Sequence, residues 1–477
     1  MALSQAAPLL PLLIIAMGAV LLMLVIACAR NRRVTLVFTL AAIGAAISAL
    51  YSAASYRPQH VTSLLIFDGY GLFYTGLILS SAFVVALLSY DYLNMHKENV
   101  EEFYLLLLLA TLGSAVIVSA QHFLSFFLGL EILSISLYTL IAYQHTDFRH
   151  IEGGFKYFIL SAFATSFLLF GMALLYARLG TLDLAEAMQG IRASGTGDEV
   201  LRIGLVMMTI GIGFKLAVVP FHMWAPDVFQ GASAPVAAFL ATCSKGSLFV
   251  FMVRYFADID PIGRNPLVTI FIILSIASMF GGNLLALFQN NIKRLLAYSS
   301  IAHFGYLFVA FLSSGPLRVT AVAYYLVAYF IATLGAFGVI TVLSRSESDA
   351  DTIEDLTGLS SNHPWLAGTL SAMLFSLAGI PLSAGFIGKF YLMSVGVGSN
   401  LWLLVIILVV NSVIGLFYYL RVISALYSRQ PQGAASQDRS PSVIGNAVLA
   451  ALMVLLFWFG VYPASVISII RTINSGA

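Results

Sequence analysis

Residues 213–245 read GFKLAVVPFHMWAPDVFQGASAPVAAFLATCSK, and this segment indicates how the chain is arranged in a membrane. It joins two apolar runs, and each run carries a lysine, Lys215 in the first and Lys245 in the second. Pro220 interrupts the first run, because proline removes a backbone donor and clashes with the preceding turn of a helix. The stretch therefore predicts a broken membrane helix followed by a second membrane helix with a lysine near its centre.

The composition extends this interpretation to the whole chain of 477 residues. Hydrophobic residues make up 60% and charged residues only 9%, against roughly 25% charged residues in an average soluble domain. These values exclude an ordinary soluble enzyme, and roughly 33 residues per span leave room for about 14 helices. Apolar runs of this length also exclude an outer-membrane barrel, whose strands have about ten residues. The net charge of +2 gives no field that would attract nucleic acid.

Hydropathy windows predict about 14 membrane spans, numbered here in chain order. Spans 7 and 12 contain the internal prolines Pro220 and Pro381, and broken helices of this kind mark the transport path in transporters. The longest polar connections, 181–200, 345–363 and 428–442, are expected to be solvated loops or short surface helices. The predicted spans are 9–29, 34–55, 70–93, 103–120, 122–143, 155–179, 201–225, 235–257, 266–288, 295–314, 320–344, 366–396, 400–427 and 443–465.

Several common chemistries have no signature in the sequence. Cys28 and Cys243 lie in apolar runs without CxxC or Cys/His spacing, so we predict packing roles and neither a disulfide, an iron–sulfur cluster nor a zinc site. Neither a P-loop nor a GxGxxG motif occurs, so no nucleotide site is indicated. The first apolar run lacks a basic leading segment, and we interpret it as span 1 rather than a signal peptide.

Four charged side chains fall near the middle of predicted spans or beside their breaks: Glu131, Lys215, Lys245 and Lys389. An unpaired charge at the membrane centre costs about 2.5–3.5 kcal/mol. Desolvation favours the neutral form and a nearby opposite charge favours the ionised form, so a carboxylate beside a movable lysine can act as a proton switch. One glutamate cannot neutralise three lysines, which indicates that lysines change protonation. The alternative is a static ion pair that stabilises the bundle.

Two histidines and a charge pair add further candidates. His303 lies in the middle of span 10 near Tyr298, and His222 follows the break of span 7. A histidine accepts and donates through its two ring nitrogens, which suits a proton relay. A satisfied hydrogen bond between helices is the alternative for His303 and the favoured interpretation for His222. Glu152 and Lys156 are four residues apart at the start of span 6 and share a helical face. They could form an ion pair at the membrane interface or the mouth of a proton path.

Three stretches carry a resemblance to a known family: residues 213–245, NNIKRLLAYSSIAHFGY at 290–306 and SLAGIPLSAGFIGKFY at 376–391. They resemble the antiporter-like subunits of respiratory complex I, and the resemblance covers essentially the whole chain. It implies an all-α polytopic membrane protein with about 14 transmembrane helices, including two inverted five-helix repeats at spans 4–8 and 9–13 and broken helices at spans 7 and 12. The domains implied are 1–100 with three helices, 101–258 and 259–428 with the two repeats, and 429–477 with helix 14.

The resemblance also implies a function, proton translocation along the membrane midplane in an NADH:quinone oxidoreductase, driven by electron transfer in other subunits. No cofactor is expected in this chain, whereas FMN, iron–sulfur clusters and quinone are expected in partner subunits. An L-type subunit would be longer and an M-type subunit would carry glutamate at the position of Lys389, which favours the N type with an M-type partner. The candidate site residues are Glu131, Lys215, Lys245, Lys389, His303, His222, Tyr298, Glu152 and Lys156.

Three alternatives remain open at this point. The first is a monovalent cation/proton antiporter subunit of the Mrp kind, which would share the fold and the buried charges. The second is a structural anchor whose charges only stabilise assembly. The third is a subunit of a related complex that receives electrons from ferredoxin or hydrogenase modules.

The distribution of lysine and arginine among the loops weakly favours N- and C-termini on the outer side of a bacterial inner membrane. A reporter enzyme fused after residue 477 should therefore be active on the periplasmic side only, because an even number of spans returns the chain to its starting side. A reporter that is active in the cytoplasm would contradict the 14-span topology.

Overall fold

The described part of the chain is almost entirely helical. Twelve of its helices are long and apolar enough to cross a membrane. Two further spans, 7 and 12, are each divided into shorter helices, so the predicted all-α polytopic membrane fold is confirmed. The computed structural model describes residues 7–55, 59–60, 62–95, 100–143, 148–194, 198–257, 266–344, 349–429 and 442–474.

The helices begin and end within several residues of the predicted bounds. Spans 1–6 are Leu10–Cys28, Arg32–Ala54, Gly69–Met95, Glu101–Ser119, Phe123–Ile141 and Phe148–Leu179. Span 7 comprises Glu199–Leu216 and Trp224–Gly231, and span 8 is Ala234–Phe256. Spans 9–11 are Pro266–Leu287, Ile292–Leu312 and Leu317–Leu343, span 12 comprises Pro364–Ala378 and Ala384–Gly398, and spans 13 and 14 are Trp402–Leu426 and Val443–Val461.

The remaining elements are short. A 3₁₀ turn, Ala7–Leu9, precedes span 1, and two strands of two residues, Gln59–His60 and Ile66–Phe67, pair antiparallel before span 3. Two short helices, Leu184–Ser194 and Leu359–Asn362, lie in the connections, and Ala464–Asn474 follows span 14.

The break of span 7 lies where the proline predicts it. The first helix ends at Leu216, and Ala217 takes the left-handed conformation with φ 57°. The peptide bond before Pro220 is cis, and the helix resumes only at Trp224. The predicted broken helix is therefore confirmed.

The break of span 12 depends on two glycines. The first helix ends at Ala378, and Gly379 has a φ of 88°, which favours glycine. A Cβ on Gly385 would lie 1.9 Å from the carbonyl oxygen of Ser376, so no side chain fits where the second helix passes the end of the first. The second predicted break is also confirmed.

The bundle centre is formed by spans 8, 10 and 11. The buried share of their apolar segments is 100%, 94% and 89%, against 33% for span 6 at the periphery. Span 8 contains a π-helical turn, Leu240–Ser244, that the sequence analysis did not predict. A π turn adds one residue per turn, and such turns are frequent at functional sites.

Several smaller predictions have separate outcomes. The connection 181–200 contains a short surface helix as expected. Residues 430–441 of the third polar connection lie outside the described residues, as does the predicted boundary at 258. Cys243 is buried as predicted, but the packing role of Cys28 is wrong because that side chain is exposed at the end of span 1. The inverted repeats and the division into domains stay predictions.

A buried ion pair holds the connection after span 11 against the bundle. Nζ of Lys293 lies 2.6 Å from Oδ2 of Asp349, and the two side chains are 2% and 5% exposed. Lys293 also donates to the carbonyl oxygen of Ala232 at 3.0 Å, and the Tyr92 hydroxyl donates to Oδ1 of Asp349 at 2.9 Å. Oδ2 of Asp351 lies 3.9 Å from Nζ of Lys293.

The interpretation of 345–363 as a solvated loop is therefore wrong at Asp349 and Asp351. Both acidic residues face the bundle because Lys293, buried at the start of span 10, needs a counter-ion. Burial raises the pKa of the Asp349 carboxyl, but the charge and hydrogen bond of Lys293 outweigh burial, so the pKa lies below its ordinary value.

The substitution Asp349→Asn should lower the melting temperature of the purified protein at pH 7. The substitution removes the nearer counter-ion and leaves Lys293 with Asp351 alone, at 3.9 Å. Breaking a buried ion pair completely costs about 3–5 kcal/mol, and we expect a loss below this range. Because the folded-state pKa is depressed, this stabilisation is present above the unfolded-state pKa of about 4 and is lost as the pH falls through the folded-state pKa. The exposed neighbour offers a matched control, Glu354→Gln, which should leave the melting temperature unchanged. Equal losses in both variants would contradict the structural role of the pair.

Candidate functional site

The three embedded lysines lie where the helices are irregular. Lys215 is in the last turn before the break of span 7, and Lys245 directly follows the π turn of span 8. Lys389 lies in the second helix of span 12, just after its break. Their exposed fractions are 6%, 0% and 5%, so all three are buried within the chain.

Lys215 is held by hydroxyl groups from spans 5 and 6. Its Nζ donates to Oγ of Ser134 at 2.6 Å and to Oγ of Ser161. The Tyr138 hydroxyl also donates to Oγ of Ser161, at 2.5 Å. The ring centroids of Tyr138 and Tyr157 lie 6.0 Å and 5.9 Å from Nζ, close enough for a cation–π attraction.

Glu131 lies one helical turn from this cluster. It is partly exposed on the outer face of span 5, and its Oε1 accepts a hydrogen bond from Oγ1 of Thr165 at 3.2 Å. Ser134 is one turn further along span 5, and Ser161 is one turn from Thr165 along span 6, a rise of about 5 Å in each case. Within the described chain, Glu131 forms no ion pair with Lys215, so the expected direct contact is absent and hydroxyl groups lie between the two charges.

Lys245 has a single polar partner among the described side chains. Its Nζ donates to Oγ of Ser300 at 2.7 Å. The ring centroids of Phe229 and Phe304 lie 5.3 Å and 5.7 Å from Nζ. A protonated lysine carries three donors, so this geometry suits a neutral amine at least as well as an ammonium group.

Lys389 is bound by the break of its own span. Its Nζ donates to the carbonyl oxygen of Ala378 at 2.8 Å, and the ring centroid of Tyr306 lies 5.1 Å from Nζ. A Cβ on Gly379 would lie 2.8 Å from Cδ of Lys389, so this glycine leaves room for the lysine stem.

Counter-ions distinguish two groups of lysines. Among the described residues, the lysines in ion pairs are Lys156, which is 41% exposed, and Lys293, which is the second residue of span 10. The three embedded lysines have hydroxyl, carbonyl and aromatic partners instead. They can therefore gain or lose a proton without breaking an ion pair.

His303 is hydrogen bonded to spans 11 and 13, so the alternative of a satisfied hydrogen bond between helices is confirmed. Its Nδ1 lies 2.6 Å from the hydroxyl oxygen of Tyr325, and its Nε2 lies 3.3 Å from that of Tyr419. The Tyr419 hydroxyl is also hydrogen bonded to Oγ of Ser299, which precedes the Ser300 partner of Lys245 in the chain.

A small cavity joins His303 to Lys389. It has room for about one water molecule and is also lined by Tyr325, Tyr329 and Ser376. The Tyr329 hydroxyl is buried and has no hydrogen-bond partner in the described chain. A water there would have several polar neighbours, as buried waters do.

His222 and Tyr298 lie together, apart from His303. Their ring centroids are 6.5 Å apart. Both ring nitrogens of His222 are buried without a hydrogen-bond partner among the described residues, so the favoured hydrogen bond between helices is wrong. The tyrosines that contact the nitrogens of His303 are Tyr325 and Tyr419, which the sequence analysis missed.

Glu152 and Lys156 belong to a larger group of charges, here called the Asp227 network: Glu152, Lys156, Asp227 and Arg294. Nζ of Lys156 lies 2.7 Å from Oε1 of Glu152 and 2.9 Å from Oδ2 of Asp227. Nη1 of Arg294 lies 2.6 Å from Oδ1 of Asp227. The network borders an open polar cavity with room for a few water molecules. Only its first two members were predicted, because Asp227 and Arg294 are distant in sequence.

Fold and site together define a class of protein, a polytopic helical membrane protein with a row of buried lysine, histidine and hydroxyl groups set on broken helices. Within the described residues, no group of three or more His, Cys, Asp or Glu side chains could hold a metal ion. Broken helices beside buried polar groups are the architecture of membrane transport proteins.

Comparisons with known proteins identify the family. Residues 120–415 match the family described as "NADH:quinone oxidoreductase/Mrp antiporter, TM". The chain is 44% identical over 473 residues to NADH-quinone oxidoreductase subunit N of Ectopseudomonas mendocina, covering 97% of this chain and 95% of that protein. It is 46% identical over 484 residues to the subunit N of Nitrosospira multiformis, covering 98% and 96%.

Solved structures agree. Respiratory complex I from Thermus thermophilus with bound aureothin contains a chain that is 31% identical, with a TM-score of 0.81 over 96% of this chain and 98% of that one. Two more distant chains share the fold. One belongs to an archaeal membrane-bound sulfane sulfur reductase and is 22% identical, with a TM-score of 0.86 over 99% of this chain and 97% of that one. The other belongs to the Mrp complex from Dietzia sp. and is 19% identical, with a TM-score of 0.83 over 100% of this chain and 97% of that one. The chain belongs to the NADH:quinone oxidoreductase/Mrp antiporter family, in its group of NADH-quinone oxidoreductase N subunits.

Proposed function

We propose that this chain is a proton-translocating, non-redox subunit of an NADH:quinone oxidoreductase in a bacterial inner membrane. The observation that carries the proposal is the row of buried groups from Lys215 through Lys245 and His303 to Lys389. Its lysines have hydroxyl and carbonyl partners in place of carboxylates, so their protonation can change. The names of the relatives at 44% and 46% identity support the same conclusion.

Protons would enter the row at the Asp227 network. In the predicted orientation this network faces the cytoplasm, because span 6 begins on that side. Tyr157, the residue after Lys156, lies inside the bundle and its ring stacks on Trp224 at 4.7 Å. The same ring contacts Lys215, and its side chain interacts with Ser244 beside Lys245. Tyr157 thus lies between the polar cavity and the first two lysines.

Transfer along the row would use hydroxyl groups that accept one proton while giving up another. Ser300 accepts from Lys245 while its own hydroxyl donates to the carbonyl oxygen of Ala297. Passing a proton on to Ser299 would therefore require rotation of the Ser300 hydroxyl or an intervening water, because adjacent side chains of a helix do not face each other. Ser299 is bonded to Tyr419, which reaches Nε2 of His303. A histidine can take a proton on one nitrogen and release it from the other. One water in the cavity beside His303 would complete the path to Lys389.

Glu131 indicates where a partner subunit binds. A carboxylate that is partly exposed in the middle of span 5 would face lipid at a cost of about 2.5–3.5 kcal/mol if nothing covered it. We therefore place another membrane subunit of the complex, of the M type, against this face. Binding or movement of this subunit would change the charge environment of Glu131. That change would alter the electrostatic potential at Lys215 through the hydroxyl groups between Glu131 and Lys215. FMN, iron–sulfur clusters and quinone would belong to other partners.

A monovalent cation/proton antiporter of the Mrp kind is the second candidate, because the same family contains both. A sodium site prefers several oxygen ligands, and intramembrane carboxylates are its usual source of negative charge. The row instead carries three lysines, which repel cations. Proton transport in vesicles should therefore be independent of sodium, and a strict requirement for sodium would favour the antiporter.

Each of Lys215→Ala, Lys245→Ala and Lys389→Ala should lower NADH-driven proton pumping by about tenfold, which corresponds to roughly 1.4 kcal/mol at the transfer step. Glu131→Ala should lower pumping less, since it acts on Lys215 through intervening hydroxyls. Pumping is measured by dye quenching in inverted vesicles, and assembly by the amount of intact complex.

Lys97→Ala, in the predicted connection between spans 3 and 4, is the matched control and should pump normally. Assembled lysine variants that pump at the wild-type stoichiometry would refute the proposal. Loss of the complex itself in all three variants would instead support the structural anchor.

A further inference from the structure

Two buried amides lie beside the row of proton-carrying groups, between spans 9 and 13. Asn283 is 1% exposed and Asn411 is 0% exposed. Nδ2 of Asn283 donates to the carbonyl oxygen of Met279 at 2.9 Å and to the hydroxyl of Tyr306 at 2.8 Å, and it lies 3.2 Å from Oδ1 of Asn411. Oδ1 of Asn283 accepts from the Tyr418 hydroxyl at 3.1 Å.

The orientation of the Asn283 amide follows from its partners. The Met279 carbonyl can only accept, so the nitrogen of the amide must face it and the oxygen must face Tyr418. Space for this oxygen depends on Gly415, where a Cβ would lie 3.2 Å from Oδ1 of Asn283. The amide of Asn283 is therefore fixed at its nitrogen and at its oxygen.

Asn283 holds two tyrosines that reach the row at different points. The Tyr306 ring is the aromatic face beside Nζ of Lys389, at 5.1 Å. The Tyr418 ring packs on Tyr419 with 4.3 Å between centroids, and the hydroxyl of Tyr419 reaches Nε2 of His303 at 3.3 Å. One amide thus acts on the surroundings of both His303 and Lys389.

A purely structural contact between two apolar spans does not require an amide. Burying one in an apolar environment is unfavourable unless its hydrogen bonds form, and small apolar residues can also pack membrane helices together. The bond from Tyr419 to His303 is also near the upper limit for a hydrogen bond, so a small rotation of the tyrosine pair would break it.

We propose that Asn283 is a positioning residue for proton transfer between His303 and Lys389. It acts by keeping the Tyr306 ring against Lys389 and the Tyr418 and Tyr419 pair against His303. The inference rests on the proposed function, since it concerns a step of proton translocation. It assigns a role to spans 9 and 13, neither of which carries one of the lysines or the histidine of the row.

The test is Asn283→Leu, which keeps the volume and removes the hydrogen bonds. In the assembled complex, protons pumped per NADH should fall about fivefold, while the amount of complex and electron transfer from NADH to a soluble acceptor stay normal. The matched control is Asn446→Leu on span 14, whose amide oxygen is buried without a partner among the described residues. It should pump normally.

Tyr418→Phe is a milder second variant that removes only the donor to Oδ1 of Asn283. It should lower the pumping ratio about twofold. The double variant should match Asn283→Leu alone, because the hydrogen bond that Tyr418→Phe removes is already absent from Asn283→Leu. A normal pumping ratio in Tyr418→Phe, or losses that multiply in the double variant, would overturn the inference. Lys389→Ala, measured in parallel, separates the two proposals: if it alone lowers pumping, only the role of Asn283 fails.

Discussion

Three lysine side chains are buried in the middle of the bundle, and within the described part of the chain none of them has a carboxylate partner. Much of the remaining structure follows from this arrangement. A charge at that depth costs about 2.5–3.5 kcal/mol if it is left unsatisfied. The chain meets this cost with hydroxyl groups, one backbone carbonyl and aromatic faces. None of these partners is a carboxylate, and the proposed function requires that the lysines change protonation among them.

The irregular backbone follows from the same constraint. The breaks of spans 7 and 12 and the π turn of span 8 each lie next to one of the three lysines. The break of span 12 supplies the carbonyl oxygen of Ala378 that Lys389 binds, which an unbroken helix would keep in its own hydrogen bonds. Two other lysines, Lys156 and Lys293, have carboxylate partners instead. In the proposed function, the paired lysines stabilise the bundle and the three embedded lysines carry protons.

The sequence predicts most of the helices and both breaks, but few of the contacts between side chains. Apolar runs define the spans, and prolines beside lysines mark both breaks, because these signals are local. The partners of Lys215 and His303 could not be predicted, since Ser134, Tyr325 and Tyr419 look like ordinary residues of apolar helices until packing brings them together. Helical periodicity places Glu131 on a face of span 5 but does not reveal that this face points outward. Asp349 resembles a solvated loop residue, and only the fold places it on Lys293.

In the proposed mechanism a buried lysine of the row must release its proton. The substitution Lys245→Arg is the most direct test of this requirement. Arginine keeps the positive charge at this position but cannot lose its proton in a protein. We expect the assembled variant to pump protons as poorly as Lys245→Ala, measured as protons translocated per NADH oxidised in inverted vesicles. Pumping at the wild-type ratio would show that a fixed charge is sufficient and would contradict the claim.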